Sequence, residues 1–369
     1  MLRESARAFI EREAPVAHLR LLRDQRHADG VSLPLWRQFG WMGFAGALVP
    51  TAMNGMALGQ VEVAVIMEEI GRNLTPSPFW STAVVGTTAL NLGARKEQGQ
   101  AWLPRIAAGE TVLALAIDER GKHDPAATQM RAQRTGNGFI LDGAKTFVVS
   151  GHIADALLVV ARTDALPYGT EGLGLFLVDA RLSGVTVERT WMVDSHNAAR
   201  IRFDRVEVGV DYLLGEPDRG WEVLAPVLEA GRAAVAAEQV GVADESFART
   251  LAYLKERTQF GRRIGEFQAL QHRAARLFTQ IELARSAVLK AAQALDAGSP
   301  QAPLLVAVAK SKAGSVSTLA VQEAVQLHGG MGITDELDLG LFMKRARVLD
   351  ELLGDHRFHA SRLATFNGY

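Results

Sequence analysis

The feature that most constrains the fold is a hydrophobic period that changes twice along the chain. "ESARAFIERE" (4–13), "LPLWRQFGWMGF" (33–44), "GQVEVAVIMEEIGRNL" (59–74) and "ARKEQGQAWLPRIAAG" (94–109) space their apolar residues three and four apart, the pattern of amphipathic helices. From Glu110 the texture is different. "RAQRTGNGFILDGAKTFVVSG", "ADALLVVART", "GLGLFLVDA", "GVTVERTWMV" and "ARIRFDRVEV" are short and rich in β-branched residues, and "GNG" and "DG" between alternating apolar positions signal hairpins. From Gly220 to the end the helical period returns. Strands and helices never alternate in the manner of a βαβ unit, which excludes a Rossmann fold. The reading is an α+β chain, mostly α, with an N-terminal helical domain (1–112), a middle antiparallel β domain (113–213) and a C-terminal four-helix bundle (214–369).

Composition removes several function classes. Lys plus Arg is 40 against Asp plus Glu at 41, so the net charge is -1. No long-range field draws the chain to nucleic acid or to an anionic membrane. With no cysteine, disulfides, thiolate catalysis and sulfur-ligated zinc are excluded. Apolar runs such as "ALLVVA" fall far short of a membrane span, and "MLRESARAFIEREAP" mixes charges with apolar residues unlike a secretory leader. A cytoplasmic protein without membrane or nucleic-acid partners is expected.

By spacing alone, Gly329 and Gly330 in "AVQLHGGMGITDE" read as a helix stop at a C-cap. A second stretch changes their meaning. "LKERTQFGRRIGEFQALQHRAARL" (254–277), in order and about sixty residues upstream, makes the pair resemble the acyl-CoA dehydrogenase family. The resemblance covers essentially the whole chain, and "VEVGVDYLLGEPDRGWEVL" is similar to the family's crossing from β domain to bundle. It implies FAD as cofactor, with Arg257, Phe260, Gln268, Gln326, Gly329 and Gly330 meeting its pyrophosphate and adenine half in a neighbouring subunit. The residue types suit that role. A guanidinium offers a fixed fork of donors, glycines let backbone N–H groups approach closely, and a phenyl ring packs on an adenine face. An obligate oligomer is therefore implied, a homo-tetramer or a hetero-tetramer with a homologous subunit that carries the base. An acyl-CoA is the implied substrate, and an electron-transferring flavoprotein is expected by analogy as electron acceptor.

The family reaction removes an α-proton from an acyl-CoA while a β-hydride passes to the flavin, and its usual base is a glutamate. Counting without a gap from Gly329, that glutamate falls on Leu353, which has no titratable group but keeps its backbone N–H for a thioester carbonyl. A minority of the family carries the base immediately before a bundle arginine, a position that reads Gly231 before Arg232. Glu238 and Asp350 are the remaining candidate bases: Glu238 on nearly the same helix face as Gly231, Asp350 three residues before Leu353. Near the flavin ring, "IDERGKHDPA" (117–126) and "KTFVVSG" (145–151) replace the family's motifs, with Phe147 and Val149 standing for a Trp and a Thr. Three functions follow from the resemblance: an acyl-CoA dehydrogenase with a relocated base, a non-catalytic subunit of a heteromeric dehydrogenase of fatty-acid or steroid side-chain catabolism, and a flavin-dependent oxidase or monooxygenase.

Overall fold

The structure is a computed structural model and describes residues 1–164 and 168–369. In chain order its helices are α1 (Leu2–Glu13), α2 (Val16–Asp24), α3 (Leu33–Trp41), α4 (Gln60–Asn73), α5 (Thr87–Gly93), α6 (Lys96–Ala107), α7 (Gly220–Glu256), α8 (Gln268–Asp296), α9 (Ala302–His328), α10 (Leu339–Glu351) and α11 (His356–Phe366). The strands are β1 (Leu113–Ala116), β2 (Arg131–Arg134), β3 (Gly138–Val149), β4 (Ala156–Arg162), β5 (Leu173–Asp179), β6 (Val185–Thr190), β7 (Ala198–Gly209) and β8 (Leu213–Leu214), with a small hairpin of β9 (Thr258–Gln259) and β10 (Arg262–Arg263). The fold is α+β and mostly helical, and its elements change type where the hydrophobic period changes. Two compact units result: one of residues 22–59 and 76–231, the other of 1–21, 60–75 and 232–369.

The first unit holds the sheet, in the order β6-β7-β3-β2-β4-β5-β8 with β1 added on β4. Its pairings are antiparallel except β1 with β4 and β2 with β4, which are parallel. The sheet is therefore mixed, although the hairpin signals point only to antiparallel pairing. Both strands most involved, β1 and β4, are buried along their whole length, which explains why "LALA" and "ALLVVAR" are continuous apolar runs rather than alternating ones. Inward residues such as Leu141, Leu157, Val159, Val178, Ile201 and Phe203 form the core, with Phe139 edge-on to Phe176 at 5.1 Å. Arg162 closes β4; its buried guanidinium donates to the carbonyls of Thr128, Ala126, Glu171 and Gly169.

The second unit is the helix bundle. Where α4 crosses α7, a Cβ on Gly71 would lie 2.2 Å from the Glu238 carbonyl oxygen, and one on Gly241 would lie 2.0 Å from that of Glu68. Reciprocal glycines thus let the two backbones touch. The stretch Ala302–Ile333 is long and apolar enough to cross a membrane by composition, and 56% of its most apolar window is buried within the fold. Glu69, fully buried on α4, accepts from Nε and Nη2 of Arg7 on α1 at 3.0 and 2.9 Å, so its buried charge is compensated.

Candidate functional site

The residues that the resemblance assigns to the adenine half of FAD lie at the end of α7, the start of α8 and the end of α9. Between α7 and α8 the chain makes the β9–β10 hairpin, whose two-residue turn is Phe260–Gly261 with φ of 54° and 75°. Positive φ at both positions is the type I′ geometry that suits hairpin twist and favours Asn-Gly. Phenylalanine there is strained, by roughly 1–3 kcal/mol, and its ring is 90% exposed. Arg257, just before the hairpin, is exposed and its guanidinium has no hydrogen bond or ion pair among the described residues. Gln268 is the exposed first residue of α8. Tyr253, one turn before Arg257, stacks on His328 at 4.2 Å and so pins the end of α7 to the end of α9.

Gln326 is in the last turn of α9, and its carbonyl accepts the capping N–H of Gly329. Gly329 has φ 60° and ψ -140°, a conformation that only glycine adopts readily. It is a helix stop, as spacing predicts, and it also leaves bare backbone: nothing lies within 4 Å of a Cβ on Gly329 or Gly330. A guanidinium without a partner among the described residues, a strained exposed ring and open, Cβ-free backbone fit the pyrophosphate and adenine of FAD. Their exposure fits a group shared with another chain.

A second constellation surrounds Leu353. α10 stops at Glu351, and Leu352 (φ -66°, ψ 119°) and Leu353 (φ 56°) form a type II turn closed by Gly354 N–H on the Glu351 carbonyl at 3.2 Å. Leucine occupies the position that normally takes glycine, and it is 1% exposed. The Leu353 carbonyl accepts from Arg232 Nε at 3.3 Å and His359 Nε2 at 3.1 Å. Its own N–H has no partner among the described residues. A buried amide donor without an acceptor is uncommon and marks a place for one.

Beneath the turn, the fully buried Lys310 of α9 donates to the carbonyls of Leu349, Asp350 and Gly354 at 2.9, 3.1 and 3.2 Å. Burial pushes this ammonium down to about 8, against the raising effect of Asp350. His359 is lowered to about 2 by burial and by Arg232, Lys310 and Arg362, so it stays neutral and is far too weak a base to hold an α-proton. Sequence reasoning passed over both. A signal existed for Lys310, which stands on the buried stripe of α9 with Val306, Ala313 and Ser317.

The two candidate acids are each engaged. Glu238 Oε1 receives both Nε and Nη2 of Arg345 at 2.7 Å, and the carboxylate is 1% exposed. Asp350, 2% exposed, accepts the His356 backbone N–H at 3.1 Å and pairs with its Nδ1 at 2.9 Å. Gly231 is buried, and its carbonyl accepts Trp80 Nε1 at 3.0 Å.

In the β unit, the loop of residues 117–126 is held by its own polar groups. Glu119 accepts the N–H groups of Gln129 and Met130 at 2.8 and 2.9 Å and the buried Lys145 ammonium at 2.7 Å. His123 Nδ1 lies 2.7 Å from Asp118. Phe147 has φ 53°, and Val149 ends β3.

Known proteins resemble the chain throughout. Residues 1–110, 114–206 and 218–366 match family profiles described as acyl-CoA dehydrogenase N-terminal, middle and C-terminal domains. "Probable acyl-CoA dehydrogenase FadE25" of Mycobacterium tuberculosis is 30% identical over 311 residues, 83% of this chain and 80% of that protein. Among solved structures, a variant of the "Tcur3481-Tcur3483 steroid ACAD" is 32% identical, covers 99% of this chain and 96% of its own, and superposes with a TM-score of 0.89. An acyl-CoA dehydrogenase from Geobacillus kaustophilus is 28% identical over 100% of this chain and 97% of its own, with a TM-score of 0.91.

Proposed function

The chain belongs to the acyl-CoA dehydrogenase family of FAD-dependent oxidoreductases, and from that premise we propose that it is the subunit without a base in a heteromeric acyl-CoA dehydrogenase. The observation that carries this reading is the turn at Leu353, where the thioester donor persists as an unpaired backbone N–H while the side chain holds no proton. Polarising a thioester carbonyl acidifies its α-carbon, but desaturation also requires a base in reach of that proton. Glu238 and Asp350 are poorly suited. Each must give up a buried ionic or charge-assisted contact to accept a proton, and disrupting a buried pair costs about 3–5 kcal/mol.

FAD supplies the hydride acceptor when bound. Arg257 offers it a cation for the pyrophosphate, Phe260 a face for adenine, and Gly329 and Gly330 a stretch of backbone with no side chain in the way, with Gln268 and Gln326 beside them. These residues serve a flavin held mainly by the partner subunit. The two-name composition of the 32% identical steroid structure supports a heteromer and a steroid acyl group; the hetero-tetrameric form and a homologous partner that carries the base complete the proposal. An electron-transferring flavoprotein is the acceptor we assign to the assembly.

Turnover by this chain alone is the second reading, and the Asp350–His356 contact is what favours it, since a carboxylate can orient an imidazole toward a proton. Flavin absorbance measured against protein concentration separates the two. The chain purified alone is expected to hold little flavin and to regain it with a base-bearing partner. A full flavin complement that an acyl-CoA bleaches would overturn the heteromeric reading.

A further inference from the structure

We propose that Lys310 is a positioning residue: its ammonium fixes the turn that presents the Leu353 N–H to the carbonyl of a bound acyl thioester. The inference rests on the reading of Leu353 given above and extends it to a residue in another helix. The last carbonyls of a helix lack intrahelical donors and are usually met by water or by a glycine-based cap. At the end of α10 a buried lysine meets them instead, and its three protons go to the carbonyls of Leu349, Asp350 and Gly354, on both sides of the turn. The N–H between those carbonyls belongs to a leucine held at φ 56°. A non-glycine residue stays in that region only when its surroundings over-determine it.

Stability alone does not account for the ammonium. A buried ion pair replaced by apolar side chains of similar volume is often neutral or stabilising, and lysine is almost never fully buried unless its ammonium is paired. What the ammonium does that a methionine cannot is fix several carbonyls at once. A preorganised donor must hold its place to within a fraction of an ångström to act on a developing charge. Arg232 and His359, both on the Leu353 carbonyl, complete the brace. The charged and titratable groups facing Lys310 are Asp350 and Glu351 from α10, Asp355 from the turn, Arg232 from α7 and His359 from α11.

The test compares butyryl-CoA with S-butyl-CoA, a thioether that lacks the carbonyl, by calorimetry on the FAD-loaded assembly. The wild-type protein should prefer the thioester, and Lys310→Met should reduce that preference about threefold to tenfold, the value of one hydrogen bond, with thioether affinity unchanged. In wild type the preference should fall as pH rises through about 8, where Lys310 loses a proton, and in Lys310→Met it should be flat. If wild type binds neither compound, or both alike, the reading of Leu353 fails and this proposal fails with it. If wild type prefers the thioester and Lys310→Met retains that preference, only the role of Lys310 is overturned. Should Lys310→Met not fold, Lys310→Gln takes its place, and a thioester preference equal to that of wild type refutes the positioning role.

Discussion

At position 353 side chain and backbone are separable. The leucine side chain has lost any capacity to take a proton, while the peptide N–H stays unpaired in a turn braced by Lys310, Arg232 and His359. The candidate acids Glu238 and Asp350 are both held in contacts within the fold. Arg345→Met should destabilise the chain by about 3–5 kcal/mol in urea unfolding, because it removes the Nε and Nη2 contacts of the buried Glu238 carboxylate; a loss below about 1 kcal/mol would mean that Arg345 does little to hold Glu238 and that Glu238 regains standing as a base. His359 gives a pH signature. Its folded pKa is far below the ordinary histidine value, so only the unfolded chain binds its proton between about 6.5 and about 2. Its contribution is fully present above pH 6.5 and is lost as pH falls, by roughly 2 kcal/mol at pH 5. His359→Gln, which keeps a donor for the Leu353 carbonyl, should flatten that part of the stability profile; an unchanged slope would show that the imidazole titrates normally.

Among the elements, the β9–β10 hairpin is the one whose local conflict points most directly to function. Its tip places phenylalanine where glycine or asparagine is comfortable and leaves the ring in solvent. Phe260→Gly should therefore leave thermal stability unchanged or slightly higher. It should weaken flavin retention by the worth of one aromatic–base contact, about 1–3 kcal/mol, read as FAD dissociation from the assembled protein. Retention equal to wild type would remove Phe260 from the adenine site. The motif was legible because the family keeps this arginine, phenylalanine and glutamine at fixed intervals. The strain was not, since a left-handed turn at Phe-Gly cannot be read from composition.

On the scale of the whole molecule, the exposed adenine-end set and the engaged acids point the same way. In the proposed reading, a chain that presents cofactor contacts outward and whose candidate bases Glu238 and Asp350 are both engaged supplies one half of a site. The flavin-to-chain ratio of the isolated protein, low in the heteromeric reading, is the measurement at this scale. The shared cofactor also predicts that flavin binding and subunit association depend on each other, so dilution should release both together.

The order of helices, strands and helices was determined by the sequence, because hydrophobic period is a local property and each element needs only its own face to be recognised. The Gly329 helix stop was equally local. Tertiary structure alone decided which acids stay available. Glu238 and Arg345 lie 107 residues apart, and Lys310 meets carbonyls 39 to 44 residues downstream. Such pairings depend on which helix faces meet, and no spacing within a single helix encodes its neighbour. The parallel contacts of β4 were hidden for the same reason: a strand buried on both faces reads as apolar whichever way its partners run.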